Sequence, residues 1–305
     1  MARYKVLFNP YSDNSRGEAE CKKITQYYPN DQLEFEDLTK IKDLNEFFAS
    51  LPDDVTVVLS GGDGTINRFI NGVDEKYFAR DIYYFGTGTG NDFLFDLGIK
   101  KGQKPFLMNP YIINLPTVTV KGRTSKFING IGYGIDGFCC EEGDKLRVKK
   151  PGKKINYTLI AILGLLFKYS PTNAKVIADG VTKNYKKVWL APTMNGRYFG
   201  GGIMPTPMQN RLKNEKVSTM VFHNWLRLPA LVAFPSTFTG KHVKYTKKID
   251  IFSSKEVTVE FDRPTALQID GETVLDVTSY TVRACENRVS LEERRQEAAV
   301  LKVNS

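Results

Sequence analysis

Through the first ~115 residues, short apolar β-branched runs alternate with stretches of helical periodicity. "RYKVLFNP" reads as a first strand, followed by a polar loop and a helix over about 15–28. "LEFEDLT" reads as the second strand, "IKDLNEFFASL" as a helix, "DVTVVLS" as the third strand, "TINRFINGV" as a helix and "IYYFG" as the fourth strand. Such alternation implies parallel strands joined by crossover helices. The third and fourth strands each run into a glycine-rich loop, "SGGDGT" and "GTGTGNDF". Both loops then sit at strand C-terminal ends, where open α/β sheets bind their ligands.

From about Thr117 the pattern changes to period-two strands: "TVTVKG", "KVWLAPT", "KVSTMVFHN", "KKIDIFSS", "EVTVEFD", "ALQIDGE" and "TSYTVRA". Several such strands separated by turn residues predict an antiparallel sandwich. Helical patterns interrupt it over 155–169 and near 225–238. The first of these, "INYTLIAILGLLFKY", is shorter than the roughly 20 residues a membrane span needs and is expected to be a buried helix. Near the C-terminus, "SLEERRQEAAVLKV" opens with Ser290 and carries Glu293 three residues on, a capping-box pattern.

Composition narrows the class. The 305 residues are enough for two domains, and the hydrophobic and charged fractions are those of a globular protein. The four cysteines (Cys21, Cys139, Cys140, Cys285) form no C-x-x-C and have only His223 and His242 as imidazole company, which argues against zinc and for a reducing compartment. "MARYKVLFNP" lacks the apolar run of a signal peptide and is expected to belong to the fold. Net charge is +9, and the dense run "KLRVKKPGKK" could meet anionic lipid, a polyphosphate or nucleic acid, or be a solvated loop. It has no interleaved aromatics, so a nucleic-acid platform gains little support.

The glycine loops carry the chemistry. Glycines admit backbone N–H groups close to a ligand, and a helix that follows adds the positive end of its dipole, so the combination favours phosphate. No Gly-Lys-Ser/Thr follows, so this is not a Walker A loop, and a plain turn remains an alternative. Asp63 is the informative residue, because a carboxylate beside phosphate is repelled unless a cation or water intervenes. Mg²⁺ carried with a nucleotide is the simplest reconciliation.

At this point "SGGDGTINRFINGV" and "GTGTGNDFLFDLGI", with "NGIGYGIDGF", "RYFGGGIMPTP" and "LQIDGE" following in order, resemble the diacylglycerol kinase catalytic-domain family of bacterial lipid kinases and sphingosine kinases. The resemblance implies an α/β nucleotide-binding domain with a parallel sheet over 1–117, an antiparallel β-sandwich lipid-substrate domain over 118–287 and an active site between them, the NAD kinase/diacylglycerol kinase-like plan. The terminal helix over 288–305 is then free to pack back on the first domain. By the same resemblance, the nucleotide contacts are Asn9, Pro10, Ser12, Thr39, Gly61, Gly62, Asp63, Gly64, Thr65, Asn67, Thr89, Asn91 and Asp92. Glu272 becomes the general base on a substrate hydroxyl, with Asp270 and Asp63 around Mg²⁺ and Asp63 meeting the metal through water. Beside these roles stand local ones: a helix N-cap for Asn91 and Asp92, and a hairpin turn for Asp-Gly-Glu.

The chain departs from the family pattern in three places. Asp13 stands where a glycine is expected after Asn9-Pro10, and Asn114 stands where an acid is common. "PMQNRLKNEKV" replaces an Asp-rich segment tied to a second Mg²⁺, so that site is not transferred.

The leading expectation is an ATP- and Mg²⁺-dependent lipid kinase acting on diacylglycerol or a related lipid. It would be cytoplasmic and peripheral at the inner face of an anionic membrane, with no nucleic-acid partner and a homodimer left open. An NAD kinase-like enzyme and a catalytically quiet lipid- or nucleotide-binding protein are the alternatives.

Overall fold

The computed structural model describes residues 1–88, 90–150, 155–213 and 215–303. These divide into two compact units, Met1–Leu115 with Asn287–Ser305, and Pro116–Glu286.

The first unit is built on a five-stranded sheet: β1 (Arg3–Phe8), β2 (Gln32–Asp37), β3 (Val55–Gly61), β4 (Ile82–Gly86) and β5 (Phe106–Leu107), in the order β2-β1-β3-β4-β5. The first four strands are parallel, and β5 runs antiparallel to β4. Val57, Val58 and Leu59 in β3 are fully buried, the continuous apolar run expected of a parallel strand covered on both faces. β2 at the edge is partly exposed, with Glu34 paired to Lys5. Because β2 lies on one side of β1 and β3 on the other, the switch point of the sheet falls between β1 and β3. The helix Asp63–Gly72 buries Thr65, Ile66, Phe69 and Ile70. Phe69 packs against Phe48 and Phe78, with ring centroids 5.8 and 6.1 Å away.

The C-terminal segment belongs to this unit. Asn114 donates from Nδ2 to the Val289 carbonyl at 2.8 Å and accepts the Val289 N–H on Oδ1 at 2.9 Å. An Asn can do both, whereas an ionised Asp can only accept. The capping box forms as read: the Ser290 N–H donates to Glu293 Oε2 at 2.6 Å, and the Glu293 N–H to Ser290 Oγ at 3.1 Å. The helix Leu291–Val303 then pairs Arg294 with Glu75 and Arg295 with Asp81.

The second unit is antiparallel. Its strands are β6 (Thr117–Val120), β7 (Arg123–Lys126), β8 (Gly130–Tyr133), β9 (Thr172–Ala178), β10 (Val181–Leu190), β11 (Thr193–Met194), β12 (Val217–His223), β13 (Ile249–Ser254), β14 (Glu256–Ile269) and β15 (Glu272–Arg283). The order β7-β6-β15-β14-β8-β11-β12-β10-β9 closes on itself because β9 also pairs with β14. The β14–β15 register shifts between Glu260 and Thr265 and again between Thr265 and Leu267, a stretch that includes Pro264, which has no N–H to give a ladder. β14 thus pairs β9 through Val257–Phe261 and β8 through Leu267–Ile269. Tyr133 stacks on Phe261 inside the closed sheet, with centroids 3.8 Å apart.

Two expectations need correction here. A helix at Ile135–Lys149 includes the start of the basic run, which is therefore not all loop; residues 151–154 of that run lie outside the described residues. The apolar stretch after it is not a buried helix. It forms Tyr157–Leu163 and a π-helical turn Gly164–Lys168 that bury Leu165 but leave Leu159 51% and Phe167 73% exposed. No helix among the described residues is long and apolar enough to cross a membrane.

Candidate functional site

In the first unit, the loops after β1, β3 and β4 emerge side by side at the strands' C-terminal ends, in the register Phe8↔Ser60 and Gly61↔Gly86. Two glycines let the second and third of these loops meet backbone to backbone. A Cβ on Gly88 would lie 2.6 Å from Gly62 Cα, so any side chain there would force the loops apart. The contact is fixed by the Thr87 and Gly88 N–H groups, which donate to the Gly61 carbonyl at 2.8 and 2.9 Å. Beneath it, the buried Tyr84 hydroxyl lies 2.9 Å from both the Gly61 carbonyl and Asn91 Oδ1. Burial, with the Asp63 charge adding to it, pushes that phenol well above its ordinary pKa, so it stays a donor.

Asp63 opens the Asp63–Gly72 helix, and its carboxylate reaches across to the next loop. Oδ2 accepts the Asp92 N–H at 2.7 Å and Oδ1 the Phe93 N–H at 3.3 Å. The helix Asp92–Leu97 has only six residues, too few to be stable alone, so the cap matters. Neither Asn91 nor Asp92 caps it: Asn91 holds the N-cap position without a side-chain cap bond, and Asp63 supplies the acceptor instead. Asp63 is satisfied by a helix N-terminus, whose positive dipole end suits a carboxylate.

The loop after β1 is joined to the same cluster. Asn9 Nδ2 donates to Thr65 Oγ1 at 3.4 Å, and the Ser12 hydroxyl donates to the Asn9 carbonyl at 2.8 Å. The Gly17 N–H donates to the Pro10 carbonyl, and a Cβ on Gly17 would sit 1.9 Å from the Asn9 carbonyl oxygen. The tightest backbone packing in this loop is therefore at Gly17, against the Asn9 carbonyl. Asp13 adopts a left-handed conformation, φ +51°, as do Asn14 and Ser15 after it. Asp and Asn tolerate that region better than other non-glycine residues. The Asp13 carboxylate is buried and paired with Lys101 at 2.9 Å and Arg16 at 2.8 Å. Burial raises its pKa, the two cations lower it, and the net shift is downward.

Other expected contacts spread further. Gly64 is exposed in the first turn of the Asp63–Gly72 helix, and Asn67 lies one turn on, accepting from Asn71 Nδ2 at its carbonyl. Thr39 lies beyond edge strand β2, where its hydroxyl and N–H both donate to Asp37 Oδ1. Thr89 lies outside the described residues.

In the second unit, "IDGE" is the two-residue turn between β14 and β15. Ile269 pairs with Glu272, and Asp270 and Gly271 both have positive φ, +48° and +93°, the type I′ geometry that Asp-Gly favours. The turn also fixes its surroundings. Asp270 Oδ2 accepts the Ile128 N–H at 2.7 Å, and Oδ1 accepts those of Asn129 and Gly130 at 2.8 and 3.1 Å. On the other side of that segment the buried Arg211 donates to the Ile128 carbonyl at 2.9 Å and to Asn129 Oδ1 at 3.2 Å. The segment is thus held through its donors by an acid and through its acceptors by a base. Asp270 is 9% exposed, and Glu272, next on the turn, is exposed.

Among the described residues, no group of three or more His, Cys, Asp or Glu side chains is placed to hold a metal ion. The donors present suit Mg²⁺ only as an ion carried mainly by phosphate oxygens and water, the usual mode for that cation.

Sequence comparison with known families bears on both units. Residues 3–112 match the diacylglycerol kinase catalytic domain, and residues 129–289 match the YegS C-terminal NAD kinase beta sandwich-like domain. The chain belongs to the diacylglycerol kinase catalytic-domain family. Similar proteins include the Bacillus subtilis (strain 168) protein named "Putative lipid kinase YtlR", 24% identical over 71% of this chain and 73% of that one. A Mycobacterium tuberculosis (strain ATCC 25618 / H37Rv) protein named "Diacylglycerol kinase" is 24% identical over 67% of this chain and 66% of its own length. Among solved structures, a "putative diacylglycerol kinase from Bacillus anthracis str. Sterne" shares the fold, with a TM-score of 0.63 at 16% identity over 92% of this chain and 91% of that one.

Within this family member, the residues that tie these loops and turns in place were the hardest to find from sequence. Tyr84 reads as an ordinary strand aromatic. Arg16 and Lys101 read as surface cations, and Arg211 sits in a polar stretch without a recognisable motif. Only the glycine spacing of "GTGTG" signalled the contact that Gly88 makes.

Proposed function

We propose that this protein is an ATP- and Mg²⁺-dependent lipid kinase that transfers the γ-phosphoryl group to a hydroxyl of diacylglycerol or a related lipid. The observation that carries the reading is the Gly62–Gly88 contact. It places two glycine loops and the N-terminus of the ten-residue Asp63–Gly72 helix together beside the sheet's switch point. The N-terminus of a helix of that length turns backbone N–H groups and the positive end of its dipole toward a ligand, an arrangement that suits a phosphate. The Asp92 and Phe93 N–H groups are already held by Asp63, so contacts from the second loop fall to its segment before Asp92. Asn9, Ser12 and Thr65 form the wall on the β1 side.

Mg²⁺, when bound, neutralises developing charge on the phosphates. The chain's own part is to orient. Asp63 fixes the two nucleotide loops relative to one another, Asp270 fixes the turn that carries Glu272, and the Glu272 carboxylate accepts the proton of the acceptor hydroxyl. A carboxylate suffices because phosphoryl transfer depends mainly on positioning and charge neutralisation.

The test is transfer of label from γ-labelled ATP with Mg²⁺ to a panel of diacylglycerol, monoacylglycerol, sphingosine, undecaprenol and NAD in mixed micelles. A labelled lipid supports the reading and names the acceptor. Labelled NAD, or ATP binding without any product, would overturn it.

A further inference from the structure

Beside the glycine loops, a further segment of the first unit closes on the loop after β1. The Gly102 N–H donates to the Gly86 carbonyl at 3.0 Å, and the Tyr27 hydroxyl donates to the Gly102 carbonyl at 2.7 Å. The segment after the helix Asp92–Leu97 is thereby pinned where β4 passes into its glycine loop. From there Lys101 reaches Asp13, at 2.9 Å, in the loop after β1. Because β3 lies between β1 and β4 in the sheet, this ion pair joins loops on either side of the strand that leads into Asp63.

The pair has two features that a plain surface contact lacks. The Asp13 side chain is fully buried, and taking a carboxylate out of water is unfavourable even when it is paired. Asp13, Asn14 and Ser15 also hold φ of +51°, +57° and +65° in succession, a left-handed run in a region that even Asp and Asn ordinarily visit singly. An exposed Asp–Lys pair needs neither. What results is the convergence of two cations, Arg16 and Lys101, on one carboxylate, which leaves one positive charge over. Asp13 takes only part of their donor capacity. The Arg16 side chain is 63% exposed and that of Lys101 37%, and a guanidinium offers five N–H groups and an ammonium three. The sequence around Lys101 adds to the surplus, since residues 97–111 hold Lys100, Lys101 and Lys104 and no Asp or Glu.

We propose that Arg16 and Lys101, held by Asp13, form a cationic subsite for the end of a polyphosphate chain seated on the glycine loops. The loops supply backbone N–H groups, which suit phosphate but carry no full charge, and the two side chains supply the charge. Arg16 brings a planar fork that takes two phosphate oxygens at once, and Lys101 a point charge. The end of a triphosphate is its most highly charged part, so the subsite discriminates by chain length. Asp13 is a positioning residue: it sets the spacing of the two cations and touches no phosphate. The subsite rests on the nucleotide-binding part of the function proposed above and names the residues that read the number of phosphates.

The test is direct binding of ATP, ADP, AMP and inorganic tripolyphosphate to the full chain by isothermal titration calorimetry, with Mg²⁺ and without acceptor lipid. Arg16→Gln and Lys101→Gln are each expected to weaken ATP and tripolyphosphate about ten-fold, the lower end of what a hydrogen bond to a charged group is worth, and to change AMP by about two-fold or less. Lys101→Arg is expected to recover most of the loss, because it keeps the charge. An equal loss for AMP and ATP would make the cluster a structural clasp of the loop, and unchanged ATP and tripolyphosphate binding in both variants would remove the cations from the site. Either result overturns the proposal. Tripolyphosphate binding that depends on both cations, in a protein that binds no ATP, would uphold the subsite and overturn the kinase reading. A wild type that binds neither overturns both.

Discussion

Asp63 holds the first amide of the neighbouring loop's helix, its Oδ2 accepting the Asp92 N–H at 2.7 Å. A bond of this type at a helix N-terminus is worth about 0.5–2 kcal/mol. Asp63→Ala is therefore expected to lower stability by about 1–2 kcal/mol, read as a drop in the urea midpoint at constant slope. Asp63→Asn keeps one acceptor oxygen and is expected to lose about half as much. An unchanged midpoint for Asp63→Ala would remove the capping role.

Asp270 and Glu272 stand two residues apart and should separate cleanly. Asp270→Asn replaces an acceptor of three backbone N–H groups with an amide that can turn a donor toward them, and is expected to cost about 2–3 kcal/mol. Glu272→Gln lies at an exposed position and is expected to change stability by less than about 0.5 kcal/mol. Under the proposed function it slows phosphoryl transfer by roughly 10²–10⁴-fold. Full turnover by Glu272→Gln would exclude it as the base.

Asn114 ties the chain's C-terminal segment through both of its amide groups. Asn114→Asp removes the donor to the Val289 carbonyl and sets a negative oxygen against it, an expected loss of about 1–3 kcal/mol. Hydrogen exchange should then speed up in the Leu291–Val303 helix before the rest of the unit. Uniform exchange across the unit would argue that the tie is not local.

Asp13 makes a prediction about acid. Its pKa is pushed up by burial and down by Lys101 and Arg16, with a net lowering. A carboxylate whose folded pKa lies below its unfolded value of about 3.9 contributes stability that is fully present above that value and is lost as pH falls through the folded one. Stability measured by urea titration should decline less steeply below about pH 4 in Asp13→Asn than in the wild type. Identical slopes would mean that the two ion pairs do not couple to folding.

What the sequence determined on its own was local. The β/α alternation, both glycine loops, the Ser290–Glu293 capping box and the Asp-Gly turn each depend on neighbours a few residues apart, and each formed where it was read, except that the helix expected over 15–28 is shortened to Gly17–Lys22 and continues as a 3₁₀ stretch, Lys23–Tyr27. The tertiary structure decided the employment of the acids: Asp63 meets Asp92 across 29 residues, Asp270 meets Asn129 across 141, and Asn114 meets Val289 across 175. Pairing rules based on spacing do not reach that far, because such bonds exist only once strands and loops have been brought side by side. The apolar helices of the second unit escaped for a related reason. A segment apolar on every side carries no polar face to mark its outside, so only the packing of the layer beneath it decides which leucines are buried and which are left facing out.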